Sequence, residues 1–256
     1  MRIVAAFLLG FFLQSQAQAA GWPQAGWLTE VIERILPSAQ KRAQTSFAVA
    51  VIDRHSGEAL WSDGFRADEN VYPASMVKAL VAFSVLQKVD RGEARLEDSI
   101  TINQTNADAE CGMGCARYGT GATRTVEQLL SAMLIMSNNI ATNQLIDLAT
   151  KEGIAHTAEQ LGATGIQVLR KVYVHVNSEP EILERNRGTA AAFIELYREV
   201  VSGRMGLLTE ASRAHLHELL GLCHSHSRFN ARFPRSVTLF HKTGSTSDSS
   251  GDAGYY

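Results

Sequence analysis

Three short groups of residues carry functional groups suited to breaking an amide or ester bond. The first is Ser75-Met76-Val77-Lys78. On a helix, residues three apart share a face, so the hydroxyl and the amine lie one turn apart. A hydroxyl at the start of that helix sits at the positive end of its dipole, which favours an alkoxide-like state. A partly buried Lys78 loses its proton more easily and can take the one on Ser75. The second group is Ser137-Asn138-Asn139. Here Ser137 can relay a proton from the Lys78 region to a leaving nitrogen, and Asn139 can donate its amide to a carbonyl. The third is Lys242-Thr243-Gly244. Lys242 offers positive charge to a carboxylate, and Gly244 lets a bound backbone come close to a strand. The amide of the next residue, Ser245, can join that of Ser75 as an oxyanion hole. Taken singly, each group also fits a bland role: a helix cap with a solvated lysine, a polar turn between helices, or a strand running into a Gly/Ser loop.

Sequence patterns place these groups on regular elements. Apolar residues at Trp27, Leu28, Val31, Ile32, Ile35 and Leu36 predict one helical face, stopped by Pro37. Phe47 to Ile52 and Glu58 to Trp61 predict a β-hairpin turned by His55-Ser56-Gly57, with polar loop from Asp63 to Asn70. A helix is expected from Ser75, because Val77, Leu80, Val81, Ser84 and Val85 share a face. Residues 95–123 are polar and rich in Gly, Asn and Thr, which predicts loop. Thr125 to Met136 and Asn139 to Thr150 predict two helices, the first opened by a capping box from Thr125 and Gln128. Thr189 to Ser202 and Glu210 to Leu222 predict two more, and Val237 to His241 a returning strand. Strands, a long helical block and then strand again imply an α+β fold: an antiparallel sheet flanked by helices, with an inserted all-helical lobe. The sheet lobe is expected at about 21–65 and 236–256, the helical lobe at about 66–235, and a cleft between them.

In this order and context, the three groups resemble the Ser-x-x-Lys, Ser-Asp-Asn and Lys-Thr-Gly set of the class A β-lactamases and penicillin-binding serine hydrolases. The resemblance covers nearly the whole chain after residue 20. It implies the β-lactamase/transpeptidase fold and an acyl-enzyme on Ser75. It also implies Ser75, Lys78 and Ser137 as catalytic residues and Asn139, Lys242, Thr243, Gly244 and Ser245 as substrate-binding ones. No cofactor or metal is implied. The chain departs from the family pattern in three places. Its second group reads Ser-Asn-Asn, which keeps the first and third positions. The family's deacylating Glu lies in a Glu-x-x-Leu-Asn loop; counting onward from Leu161-Gly162 lands near Lys171-Val172-Tyr173, which holds no carboxylate. Glu179, Glu181 and Glu184 follow in a different context, leaving Glu179 or Glu181 as the replacement if that role is filled. Only twelve residues follow Gly244, and Asp252 to Tyr256 looks like the opening of a further strand, so a truncated C-terminus is expected.

The remaining signals bound the setting. Hydrophobic residues make up 45% and charged ones 20%, an ordinary globular balance that excludes a disordered chain. The net charge of −2 and the lack of basic–aromatic clusters give no support to nucleic acid as a partner. Arg2, the apolar run Ile3 to Leu13 and Ala17-Gln18-Ala19 have the form of a cleaved secretory signal peptide over residues 1–20. The expected product is one exported domain, residues 21–256, periplasmic or secreted, monomeric and off the membrane. In that oxidising setting, three cysteines leave at least one thiol unpaired within the chain. Cys111 and Cys115 can close a small loop, although connectivity is not readable from sequence. Residues 108–115 are read either as lining the cleft or as a surface loop. Cys223, His224 and His226, with His215 and His217 nearby, lack a clear fourth metal ligand and read as a solvated helix end. The expected partner is a β-lactam or a peptidoglycan peptide. The leading function is β-lactam opening. A D,D-peptidase or another slow-deacylating hydrolase, and a non-catalytic penicillin- or wall-binding module, are the alternatives.

Overall fold

A computed structural model of the full chain describes residues 2–10, 23–36, 38–107, 117–172, 184–225, 231, 234 and 236–256. The elements run β1 Arg2–Gly10, α1 Trp27–Ile35, α2 Ala39–Arg42, β2 Thr45–Ile52 and β3 Ala59–Phe65. A 3-10 turn at Ala74–Val77 then leads into α3 Lys78–Asp90, β4 Ser99–Thr101, α4 Gln104–Ala107, β5 Thr123–Thr125 and α5 Val126–Ile135. Last come α6 Asn139–Ala149, α7 Lys151–Gln160, α8 Ala190–Ser202, α9 Glu210–Gly221, β6 Phe240–Ser245 and β7 Ser249–Tyr255.

The main sheet has five strands in the order β3-β2-β1-β7-β6. β2–β3 is the antiparallel hairpin that the sequence predicts, and β6–β7 is a second antiparallel pair. β1, drawn from the apolar run read as a leader, lies between them and is parallel to both β2 and β7. In the full chain the two hairpins are joined through it. Along β2, alternate side chains divide between two clusters, as a pleated strand requires. Ala48, Ala50 and Ile52 join the main core with α3, α5, α6 and α8. Val49 joins Leu28, Ile32, Phe65 and Leu239 on the opposite face.

Several boundaries differ from the sequence expectation for identifiable reasons. α1 buries Leu28 and Ile32, whereas Trp27 and Ile35 stay 43% and 59% exposed. Trp27 instead meets the edge of Trp61 with ring centroids 6.3 Å apart. β3 runs on through Asp63 because that carboxylate has distant donors, Gly26 N at 3.2 Å and Leu28 N at 2.7 Å. It caps α1, which lacks a side-chain cap of its own. Residues 95–123 are not all loop, since β4 pairs with β5 there. α7 escaped the periodicity search because it is polar; Thr150 caps it by accepting from Gly153 N at 3.0 Å. The expected capping box at Thr125 and Gln128 is present. α3 is buried from Lys78 to Gln87, a helix enclosed on all sides, and its polar Ser84 and Gln87 lie 3.0 and 2.7 Å from the Thr157 hydroxyl. α8 packs on β1, β2 and β7, and so serves the sheet rather than the helical lobe. Among the described residues, no helix is long and apolar enough to cross a membrane.

Candidate active site

Ser75 lies within the 3-10 turn, not on the α-helix itself, and α3 begins at Lys78. Three residues per turn bring Ser75 and Lys78 closer to eclipse than an α-helix would. Ala74, just before, has φ 48, a left-handed conformation that costs a non-glycine residue about 1 kcal/mol or more. Pro73-Ala74 turns the chain sharply there. Two outside ties hold the turn's approach: Val71 pairs with Gly188, and the Ser249 hydroxyl of β7 donates to the Tyr72 carbonyl at 2.7 Å.

Lys78 is fully buried and its ammonium is enclosed by acceptors. Nζ donates to the Ser137 carbonyl at 2.8 Å, to Ser137 Oγ at 3.1 Å and to Asn139 Oδ1 at 2.7 Å. The segment that supplies them joins α5 to α6. Ser137 has φ 57, and this left-handed turn presents both its carbonyl and its hydroxyl to Lys78. Asn138 points the other way and caps α6, accepting from Ala141 N at 2.9 Å. The Ser-Asn-Asn triplet therefore uses its outer members on Lys78 and its middle member on the backbone.

Lys242 arrives from the sheet. It lies inside β6 rather than past its end, because the strand runs from Phe240 to Ser245. Its Nζ donates to the same Ser137 Oγ at 3.1 Å and to the Thr243 carbonyl at 3.1 Å. Ser137 Oγ thus bridges the Nζ atoms of two lysines. With both lone pairs engaged, its own proton is left to donate elsewhere. Gly244 is packed against the Ser75 turn: a Cβ there would lie 2.3 Å from Pro73 O and 3.0 Å from Ser75 N. Thr243 and Ser245 are half-buried and exposed, at the strand's open end.

Burial, and then the nearby Lys242 charge, hold the Lys78 pKa well below the usual lysine value. Over the window between that lowered pKa and 10.5 the unfolded chain binds a proton that the folded chain does not, so this group makes stability rise with pH. Against a Lys78→Met variant, the parent protein is expected to gain stability as the pH rises above the lowered Lys78 pKa toward about 10. Urea midpoints at each pH measure this, and parallel curves for the two proteins would contradict it.

Residues 169–172 are clamped by side-chain amides. Asn143 donates to Val172 O at 3.0 Å and accepts from Val172 N at 2.8 Å. Asn186 Oδ1 accepts from both Leu169 N and Arg170 N at 2.9 Å. Lys171 pairs with Asp147 at 2.7 Å, and the exposed Glu184 pairs with Arg187 at 3.0 Å. Glu179 and Glu181 lie outside the described residues, as do Cys111, Cys115 and the rest of 108–116. Of the histidines near α9, His217 and His224 are exposed, in keeping with a solvated helix end, and His215 is half-buried. His215 meets Glu127 at 2.7 Å, while His217 stacks on Phe240 and meets Tyr255 Oη at 2.8 Å. Cys223 is a buried thiol, and His226 falls outside the described residues. Among the described residues no His, Cys, Asp and Glu cluster could hold a metal ion. Sequence reading passed over Ala74, Asn143 and Asn186. The Pro-Ala step before Ser75 signalled the first; two lone asparagines far apart signalled nothing.

Ser75, Lys78, Ser137, Asn139, Lys242 and Gly244 are thus gathered where a helical lobe meets a sheet, the layout of a Ser/Lys hydrolase scaffold. The chain belongs to the beta-lactamase enzyme family, whose model matches residues 27–255. It is 28% identical over 183 residues to Beta-lactamase L2 of Stenotrophomonas maltophilia, 71% of this chain and 57% of that protein. It is 24% identical over 143 residues to D-alanyl-D-alanine carboxypeptidase DacF of Bacillus subtilis (strain 168), 55% of this chain and 33% of that protein. The matches therefore span less than two thirds of either relative. The crystal structure of a beta-lactamase from Sphaerobacter thermophilus DSM 20745 superposes with a TM-score of 0.70 at 22% identity, covering 84% of this chain and 79% of that one, and so shares the fold.

Proposed function

We propose that this protein is an exported serine amide hydrolase that opens β-lactam rings through an acyl-enzyme on Ser75 and releases the product slowly. One observation carries the reading: a single hydroxyl, Ser137 Oγ, is held by Lys78 and Lys242, 3.1 Å from each, beside the turn that carries Ser75. Lys78, in its neutral form, takes the Ser75 proton as the hydroxyl attacks. Ser137 passes a proton on to the departing nitrogen. The amides of Ser75 and Ser245 stabilise the oxyanion, Asn139 orients the substrate, and Lys242 with Thr243 holds its carboxylate. The names of two relatives, a β-lactamase and a D-alanyl-D-alanine carboxypeptidase, are in keeping with this substrate class.

The slow release rests on the count onward from Leu161-Gly162, which lands near Lys171-Val172-Tyr173 and meets no carboxylate, with Glu179 or Glu181 as the residues that would fill the role otherwise. The same property suits a D,D-peptidase that β-lactams trap, and a single comparison separates the two. The full-length protein and Ser75→Ala are incubated with a fluorescent penicillin and a chromogenic cephalosporin. A Ser75-dependent stoichiometric burst followed by a slow steady state is expected. Fast linear turnover would refute slow release, and absence of any Ser75-dependent reaction would leave only a binding module. Intact mass of the exported sample reports whether residues 1–20 have been removed.

A further inference from the structure

A second cavity, of about 580 Å³, opens on the outer side of α5, within the size range of small-ligand sites. Its floor is apolar, formed by Ala132, Ile135 and Met136. Its rim carries Arg117 and Arg124. Arg124 is fixed in place: its guanidinium donates to the carbonyls of Thr123 and Arg117 and lies 5.2 Å over the Tyr118 ring. Arg117 is exposed, and neither arginine forms an ion pair among the described residues. Among the described lining residues the one carboxylate, Glu127, is engaged by the Ser131 hydroxyl at 3.1 Å and by His215 at 2.7 Å. Among the described residues the cavity therefore carries two arginines without an ion-pair partner and one carboxylate already hydrogen-bonded, beside apolar side chains.

Its wall adjoins, along the chain, the segment that carries Ser137. Met136 lines it and is followed directly by Ser137. His224, also on the wall, donates its backbone N–H to the Ile135 carbonyl at 3.1 Å, which holds the wall to the segment that carries Ser137. We propose that this cavity is a subsite for a remote carboxylate on an extended substrate, with the connecting chain lying over Met136 and the scissile amide at Ser75. This assigns a substrate class to the site proposed above, and rests on that reading: amides with one acid near the scissile bond and a second at the end of a flexible acyl arm. A guanidinium–carboxylate pair gives the arm its direction, and the apolar floor accepts its methylenes.

The test uses a penicillin whose side chain is a six-carbon acyl group ending in a carboxylate, beside the same compound ending in a primary amide. Second-order acylation rates are measured for the full chain and for Arg117→Glu, an exposed change that leaves the fold intact. The parent is expected to prefer the carboxylate roughly tenfold, about the worth of one charge-assisted contact, and Arg117→Glu to abolish or reverse that ratio. Benzylpenicillin, with no terminal acid, is expected to react with both proteins within about twofold of one another, as for a charge remote from the reacting atoms. Equal carboxylate-to-amide ratios in the two proteins would overturn the proposal. Calorimetric binding of the same two compounds to Ser75→Ala and to Ser75→Ala with Arg117→Glu repeats the comparison without chemistry. Failure of acylation is thereby distinguished from failure of the subsite.

Discussion

Lys78→Ala is expected to slow acylation of Ser75 by about a thousandfold or more, the scale seen when a nucleophile loses its base. The amine is buried, and burial and Lys242 both disfavour its charged form. The proposed mechanism asks this amine, in its neutral form and three residues along the turn from Ser75, to accept the hydroxyl's proton. Lys78→Arg sharpens the test. Guanidinium keeps the charge and the donors to Ser137 and Asn139, yet it does not deprotonate in proteins. If Lys78 acts as a base, the arginine variant is as slow as the alanine variant. If it acts only by its charge, arginine restores much of the rate. Fluorescent-penicillin labelling rates, with thermal melts to confirm folding, decide between them. Substantial rescue by arginine would remove the base role.

Gly244→Ala is the second large effect. The added methyl would lie 2.3 Å from Pro73 O, 3.0 Å from Ser75 N and 3.1 Å from Met76 N, all backbone atoms. None of these can swing aside as a flexible side chain would. The strand and the Ser75 turn must part, which moves the two amides of the proposed oxyanion hole relative to each other. A loss of about a hundredfold in acylation is expected from a misplaced oxyanion donor. Overpacking is expected to cost about 1–3 kcal/mol of stability. Gly119→Ala is the control, since a Cβ at Gly119 meets nothing within 4 Å. Its stability should change by less than about 0.5 kcal/mol, as for surface substitutions generally. Equal acylation rates in Gly244→Ala and the parent would show that the close approach has no part in the chemistry.

The site was more legible in the sequence than the frame around it. Ser75, Lys78, Ser137, Asn139 and Lys242 announced themselves because their chemistry demands particular functional groups in fixed local spacing. The hairpin and the Thr125 capping box were readable from turn and cap preferences acting over a few residues. Long-range partners were hidden. Asp63 looked like loop because its donors, Gly26 and Leu28, are some 35 residues earlier. α7 looked irregular because its apolar face is thin, and it buries only Ile154, Thr157 and Ala158. The amide clamps on Val172, Leu169 and Arg170 come from Asn143 and Asn186, which single-sequence reading could not pair with their targets. The parallel placement of β1 was equally hidden, because an apolar run carries no information about which strands it joins.

In the proposed mechanism the hydroxyl shared by the two lysine side chains also couples recognition to reactivity. Lys242 spends donors on Ser137 Oγ and the Thr243 carbonyl. A substrate acid drawn to Lys242 competes for those donors and offsets the charge that helps keep Lys78 unprotonated. The incoming anion therefore loosens Ser137 for proton delivery and makes Lys78 a more avid proton acceptor at the moment of docking. Ligands without such an acid leave both groups in their resting engagement, so discrimination is exercised through proton affinity as well as through fit.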